Sequence, residues 1–429
     1  MKRLLLLPAV ALVLGLTLMV VGPRTGSAVA ESEPKSRPGK FVYLTYDPRP
    51  NPYRVEPPLG ALDGTPRGAD ALAIGVVYNP TVSCPAVHPK DPNPASPTWT
   101  LKNWPAEAQT AMDAAALIWS TLLNGSQPVV VHACWYATLG SNVLGQARAN
   151  SIYFDFESAP VDDTGYAVAL ANQHANRDLN GALPEINADF NDSYAWYFGL
   201  DGQVPPGKVD FLSAALHEIG HGLGFSGSVD FDDGMGNMEC NGTAGAGCVD
   251  SPPEAYDRFT YHDAKPILDY ENNSTDLGLA LTQNKVFFSG GNTNAANGNS
   301  PARLFAPTLW STSSISHLDE TTYDKTPNAL MTPELAPKES VHHPGPVGLA
   351  ILADIGWPVN SRDQVYVRRP GTGHETGTFV DPYDTVREGA LAVNNGGTVL
   401  IAPDSYDEVL TIRRPMWLKT TGGTVTIGE

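Results

Sequence analysis

The chain has 429 residues, a net charge of −19, 42% hydrophobic residues and only 17% charged ones. That balance excludes a disordered polymer, and it argues against nucleic acid or an anionic membrane as main partner, because both require basic patches. The 41 glycines and 37 prolines argue against a helical bundle or coiled coil and for a loop-rich secreted protein of two or three domains, or one large domain with an appendage. Lys2 and Arg3, the uncharged run from Leu4 to Val21 and the small residues Ala28-Val29-Ala30 read as a secretory signal peptide over residues 1–30. The expected location is therefore extracellular or periplasmic. No other run is long or apolar enough to span a membrane. Residues 31–68, rich in Pro, Arg and Gly, read as an N-terminal arm or a propeptide remnant.

The main domain is expected over residues 69–359. Ala71 to Tyr78 and Val129 to Tyr136 are predicted strands, with weaker ones at Ser151 to Phe156 and Glu185 to Phe190. Between them, Pro105 to Leu123 shows helical spacing and stops at Asn124-Gly125. Thr164 to Arg177 is a short helix candidate. Asp210 to Leu223 is a decisive one, ending at Gly224. The fold class is α+β. Residues 228–316 form a long polar insertion, rich in Gly and Asn, with short helices expected near Glu254 and Leu277 and otherwise loops. The apolar run Pro346 to Ile355 closes the domain as a helix. Four cysteines in an oxidising compartment suggest two disulfides: Cys240 with Cys248 as the local pair, and Cys84 with Cys134.

The chemistry is concentrated in His217-Glu218-Ile219-Gly220-His221, an H-E-x-x-H run on a predicted helix. Residues four apart share a helix face, so His217 and His221 can present two imidazole nitrogens to one zinc ion. Glu218 is then placed to accept the proton of a metal-activated water attacking a peptide carbonyl, and to return it to the leaving amine. Gly224, three residues after His221, lets the chain leave the helix in a left-handed conformation. A third ligand is needed. The position three residues after Gly224 is Gly227, which has no side chain, so the ligand must come from afar. The candidates are His262, His317, His342, His343 and His374, or a carboxylate such as the Glu of a thermolysin-like site. His317 is preferred because Met331 follows it in a turn-like setting, Ala329-Leu330-Met331-Thr332-Pro333.

H-E-x-x-H-x-x-G-F, a long insertion, a His followed by acidic residues, then Leu-Met: this order resembles the leishmanolysin group of metzincin zinc proteases. Ala195-Trp196-Tyr197-Phe198 and Ala350 to Trp357 also resemble segments of secreted bacterial relatives. The resemblance covers about residues 71–359. It implies a metzincin-type fold, zinc on His217, His221 and His317, Glu218 as general base and Met331 as the residue of the Met turn. No cysteine lies between Glu31 and Gly68, so latency through a propeptide thiolate is not expected.

Asp230 to Gly234, with Asn237 and Glu239, is an oxygen-rich loop of the sort that can bind calcium, though a solvated acidic loop is the plainer reading. Residues 360–429 carry short strand-like runs, at Thr398 to Ala402, Glu408 to Ile412, Met416 to Leu418 and Thr424 to Ile427. Thr398–Ile401 and Thr424–Ile427 are alike. This segment resembles the opening of a pectate-lyase-like parallel β-helix, an accessory module. The function expected is a secreted zinc metalloendopeptidase acting on protein or peptide substrates. The alternative is a catalytically inactive zinc-containing surface or glycan-binding protein. Oligomeric state is not readable.

Overall fold

The computed structural model describes residues 34–58, 61–62, 71–82, 84, 100–238, 252–360, 364–370, 377, 382–393, 397–413 and 415–428. Its centre is a six-stranded mixed sheet. The strand order is Glu334–Leu335, Val42–Tyr46, Val143–Ala149, Ile186–Asn191, Val129–Tyr136, Ile74–Tyr78. The last three strands run parallel to one another. Val143–Ala149 is antiparallel to Ile186–Asn191 on one side and to Val42–Tyr46 on the other. Such strands are rich in Val and Ile because both sheet faces are covered.

Two helices pack against the sheet and each other. Ala106–Leu122 buries Ala108, Ala111, Met112, Ala115, Ile118, Trp119 and Leu122, the stripe its spacing predicts. Its alanines permit close approach, and the Trp119 indole N–H donates to the Leu216 carbonyl (2.9 Å). The partner helix, Phe211–Gly222, is buried all round, as a helix without a polar face must be. Asp210 caps it by accepting from the Ser213 amide (2.9 Å), satisfying a donor the helix cannot. Phe211 packs its ring against Trp135, Phe190 and Trp196 with centroids 5.0–5.4 Å apart. The apolar helix Gly345–Ile355 closes this core, and the Trp357 indole donates to the Leu223 carbonyl (2.8 Å).

Three features depart from the sequence reading. Residues 34–56 contribute three strands. Lys35–Arg37 pairs with Ile152–Phe154, Val42–Tyr46 enters the central sheet, and Arg54–Val55 pairs with Ser340–Val341. The segment's low periodicity hid them, because each strand is short and completed by a distant partner. Residues 164–177 divide into a strand, Tyr166–Ala167, and a helix, Val168–Ala175. The 228–316 region holds a four-stranded antiparallel sheet, ordered Lys265–Pro266, Thr260–His262, Val286–Phe288, Ala302–Arg303, besides its helices. These strands are two or three residues long, too short to show alternation.

Beyond residue 360, Gln364–Val367, Thr398–Ile401 and Trp417–Thr420 form a parallel in-register ladder. Ser405–Tyr406 pairs in parallel with Thr426–Ile427. The look-alike runs therefore do not pair: Thr398–Ile401 stacks on Trp417–Thr420 instead. Residues 408–412 are not a strand. Val365, Val367, Val399, Ile401, Val386 and Tyr406 give this segment its own small core. Cys84 and Cys134 are joined as a disulfide, while Cys240 and Cys248 lie outside the described residues. No described helix is long and apolar enough to cross a membrane.

Candidate metal centre

His217 and His221 lie one turn apart on the helix Phe211–Gly222, and His317 reaches them from a loop ninety-six residues beyond His221. The three Nε2 atoms form a triangle. His217 to His221 is 2.9 Å, and each is 3.1 Å from His317. Every Nδ1 faces a backbone carbonyl. His217 donates to Leu330 (2.6 Å), His221 to Phe225 (2.7 Å) and His317 to Ser313 (2.7 Å). A carbonyl can only accept, so the proton sits on Nδ1 and each Nε2 lone pair points inward. Three lone pairs this close repel one another unless a cation lies between them. An ion about 2.0–2.1 Å from each, the usual zinc–imidazole distance, fits a triangle of this size. Among the described residues this is the single group of three side chains within reach of one ion.

The electrostatics point the same way. All three imidazoles are held neutral. Burial pulls His217 down to about 4. His221 lies well below the usual histidine range through burial and then its two histidine neighbours, and His317 through burial and then His217. Glu218 is fully buried, and among the described residues neither carboxylate oxygen makes a well-formed hydrogen bond, the Leu44 amide being a nearby donor. Burial first, then the nearby Asp189, pushes it well above the carboxylate range. A buried carboxylate with no well-formed hydrogen bond, beside three neutral imidazoles, is a site short of positive charge, which a divalent cation would supply.

Local structure explains how each group is held. Gly224 has φ +105° beyond the end of the helix, a conformation that favours glycine. That turn carries Phe225 back so that its amide donates to the Gly220 carbonyl (3.1 Å) and its own carbonyl meets His221. Met331 is buried in a single 3-10 turn, Ala329–Met331, beneath the helix. A Cβ on Gly220 would stand 3.0 Å from the Met331 sulfur, so glycine there makes room for methionine. The neighbouring Leu330 supplies the carbonyl that orients His217. On the loop before His317, the β-branched Ile315 has φ +67°. Such a residue costs about 1–3 kcal/mol in that region. It is held by its amide donating to Phe305 (2.7 Å) and its carbonyl accepting from the Tyr256 hydroxyl (3.1 Å).

The other sequence candidates are engaged elsewhere. His342 pairs with Asp210 (2.7 Å), His343 accepts from the Gly345 amide (2.9 Å), and His262 contacts the Tyr270 hydroxyl (2.9 Å). His374 and Glu239 lie outside the described residues. Asp230–Asp232 lie on a hairpin whose turn residues Asp233 and Gly234 have positive φ, and Asp230 is 3.8 Å from the Lys40 ammonium.

Sequence reasoning missed Asp189. It is buried on the strand Ile186–Asn191, accepts from Gln146 (2.8 Å) and is pushed up to about 7 by burial. The signal available was an acid amid the apolar residues of a strand. It also missed Gly145, where a Cβ would stand 2.9 Å from Glu218 Oε1. A family model described as SPBPB7E8-like matches residues 164–237, a span that includes His217, Glu218 and His221 and stops short of His317. No curated protein and no solved structure matches the chain.

Proposed function

We propose that the chain is a secreted zinc-dependent endopeptidase of the leishmanolysin-like metzincin type. The observation that carries the reading is the convergence of His217, His221 and His317 on one point, beside the buried carboxylate of Glu218. The three Nε2 atoms would hold the ion. Zinc in such a site acts as a Lewis acid, polarising a peptide carbonyl and making water a competent nucleophile near neutral pH. Glu218 takes the proton from the attacking water and later gives it to the departing amine. The surrounding apolar helix and sheet exclude bulk water, which strengthens each of these interactions. Residues 360–429 are an accessory module in this reading.

One observation favours a second reading, a non-catalytic zinc protein of the surface or glycan-binding kind. His217, Glu218, His221 and His317 are all 0–1% exposed, which suits a structural ion as well as a covered catalytic one. Zinc stoichiometry together with casein hydrolysis separates the two. One zinc per chain and chelator-sensitive cleavage support the peptidase. One zinc without cleavage, in a chain whose site has been opened, supports the structural site. No zinc overturns both.

A further inference from the structure

A peptidase must admit a polypeptide, yet this site is closed. The strand Val42–Tyr46 closes it. The strand runs antiparallel to Val143–Ala149 and parallel to Glu334–Leu335, joining two segments that have no other link within the sheet. Its Leu44 lies opposite Gly145, the residue whose α-carbon faces Glu218. On the far side the Thr45 amide and hydroxyl both donate to the Pro333 carbonyl (2.9 Å each), two residues after Met331. The Tyr43 carbonyl accepts from the Ser313 hydroxyl (2.9 Å), and Ser313 is the residue whose own carbonyl orients His317. Val42 and Leu44 turn inward and are buried. An extended segment gripped by backbone hydrogen bonds along both edges is how a sheet edge takes up a peptide.

The rest of the arm is tied down by charge. Lys35 lies 3.3 Å from Asp155. Arg37 makes a buried ion pair with Glu254 (2.9 Å). The Lys40 ammonium donates to the Val229 carbonyl (2.8 Å) beside Asp230. Three basic residues within six positions are thus matched to acids of an acidic protein. Immediately after the strand, Pro48, Arg49 and Pro50 are exposed.

Resting on the peptidase reading, we propose that residues 35–46 are an intramolecular inhibitor. They occupy the groove between Val143–Ala149 and Pro333–Leu335 in place of a peptide substrate, without a cysteine, and must be cut loose or displaced before the site works. The test uses the full chain with a site-specific protease sequence inserted at residues 48–50. After cleavage and removal of the arm, checked by mass, two readouts are taken. The first is modification of His217, His221 and His317 by diethyl pyrocarbonate in metal-free protein, mapped by mass spectrometry. The second is casein hydrolysis by zinc-loaded protein. Removal should expose the three histidines and raise hydrolysis at least about tenfold, as expected when a closed state dominates. A synthetic peptide of residues 35–48 should reverse both effects. Histidines that stay protected, or measurable hydrolysis that is the same before and after removal, overturn the proposal. Exposed, peptide-protectable histidines with no hydrolysis in either form leave the arm as the cover and overturn the peptidase reading instead. Should the cleaved arm not dissociate, the uncut R37E/K40E double variant, which places acids against Glu254 and Asp230, should show the same two gains. If that variant shows neither gain, the proposal is overturned.

Discussion

The Nε2 atoms of His217 and His317 stand 3.1 Å apart although one hundred residues separate them in the chain. Two backbone carbonyls set that distance: Leu330 turns one ring and Ser313 turns the other. The centre is therefore built as much by main chain as by the residues that would bind the ion.

Glu218 is the group most specific to catalysis. E218Q keeps the size and burial of the side chain and removes its ability to take a proton. Hydrolysis by the arm-free chain should fall by about 10²–10⁴-fold, the usual contribution of such a group. Zinc content should stay at one per chain. Undiminished hydrolysis would refute the assigned role.

For His317, the variant H317A leaves two imidazoles and a cavity. Zinc affinity should drop by well over the roughly 10–100-fold that loss of a supporting hydrogen bond costs a metal site. Competition with a chromophoric chelator measures it. Wild-type affinity would mean that another residue completes the sphere.

At Gly222 a Cβ would collide with the Ile186 side chain. Overpacking of this kind costs about 1–3 kcal/mol. G222A should lower the urea midpoint accordingly and shift His221 from its partners, so zinc affinity should fall with it. Urea titration of the metal-free and zinc-loaded forms reads both effects.

Buried Glu339 is pushed from 4.5 to about 8, chiefly by burial and then by the charge of Asp324. Its folded value lies above its unfolded one, so its contribution is fully present below pH 4.5 and is lost as pH rises through about 8. E339Q removes this dependence and can still accept from the Ala336 amide. At pH 5 the variant and wild type should unfold at similar urea concentrations. At pH 8.5 the variant should be more stable by about 1 kcal/mol, a heavily discounted share of the shift. A difference that shrinks with rising pH would contradict the assignment.

The Cys84–Cys134 disulfide closes a loop with a sequence separation of 50. Replacing both cysteines by serine should cost about 2–4 kcal/mol, mainly through the unfolded chain. Thermal unfolding without reductant checks it: the variant should unfold at a lower temperature than wild type, and reductant should shift wild type more than the variant.

The local half of the site was legible because a helix converts spacing into direction. His217 and His221 share a face by the geometry of 3.6 residues per turn, and Gly224 marks the end of that helix by its lack of a Cβ. The long apolar strands and the helix at 106–122 were legible for the same kind of reason, since each carries its periodicity within itself. The short strands at 35–37, 42–46 and 260–262 were not, because nothing in three to five residues distinguishes a strand until its partner is known.

By itself, then, the sequence determined which side chains could hold a metal and which carboxylate stands beside them. It also favoured His317 as the third, through Met331, but tertiary structure brought His317 to the pair and held His262, His342 and His343 elsewhere. Tertiary structure also decided that Asp189 lies near Glu218, and that Val42–Tyr46 pairs with the strand carrying Gly145 beside Glu218. These are contacts between segments dozens to hundreds of residues apart. They are specified by the packing of one sheet and two helices, and by carbonyls that carry no side-chain signature.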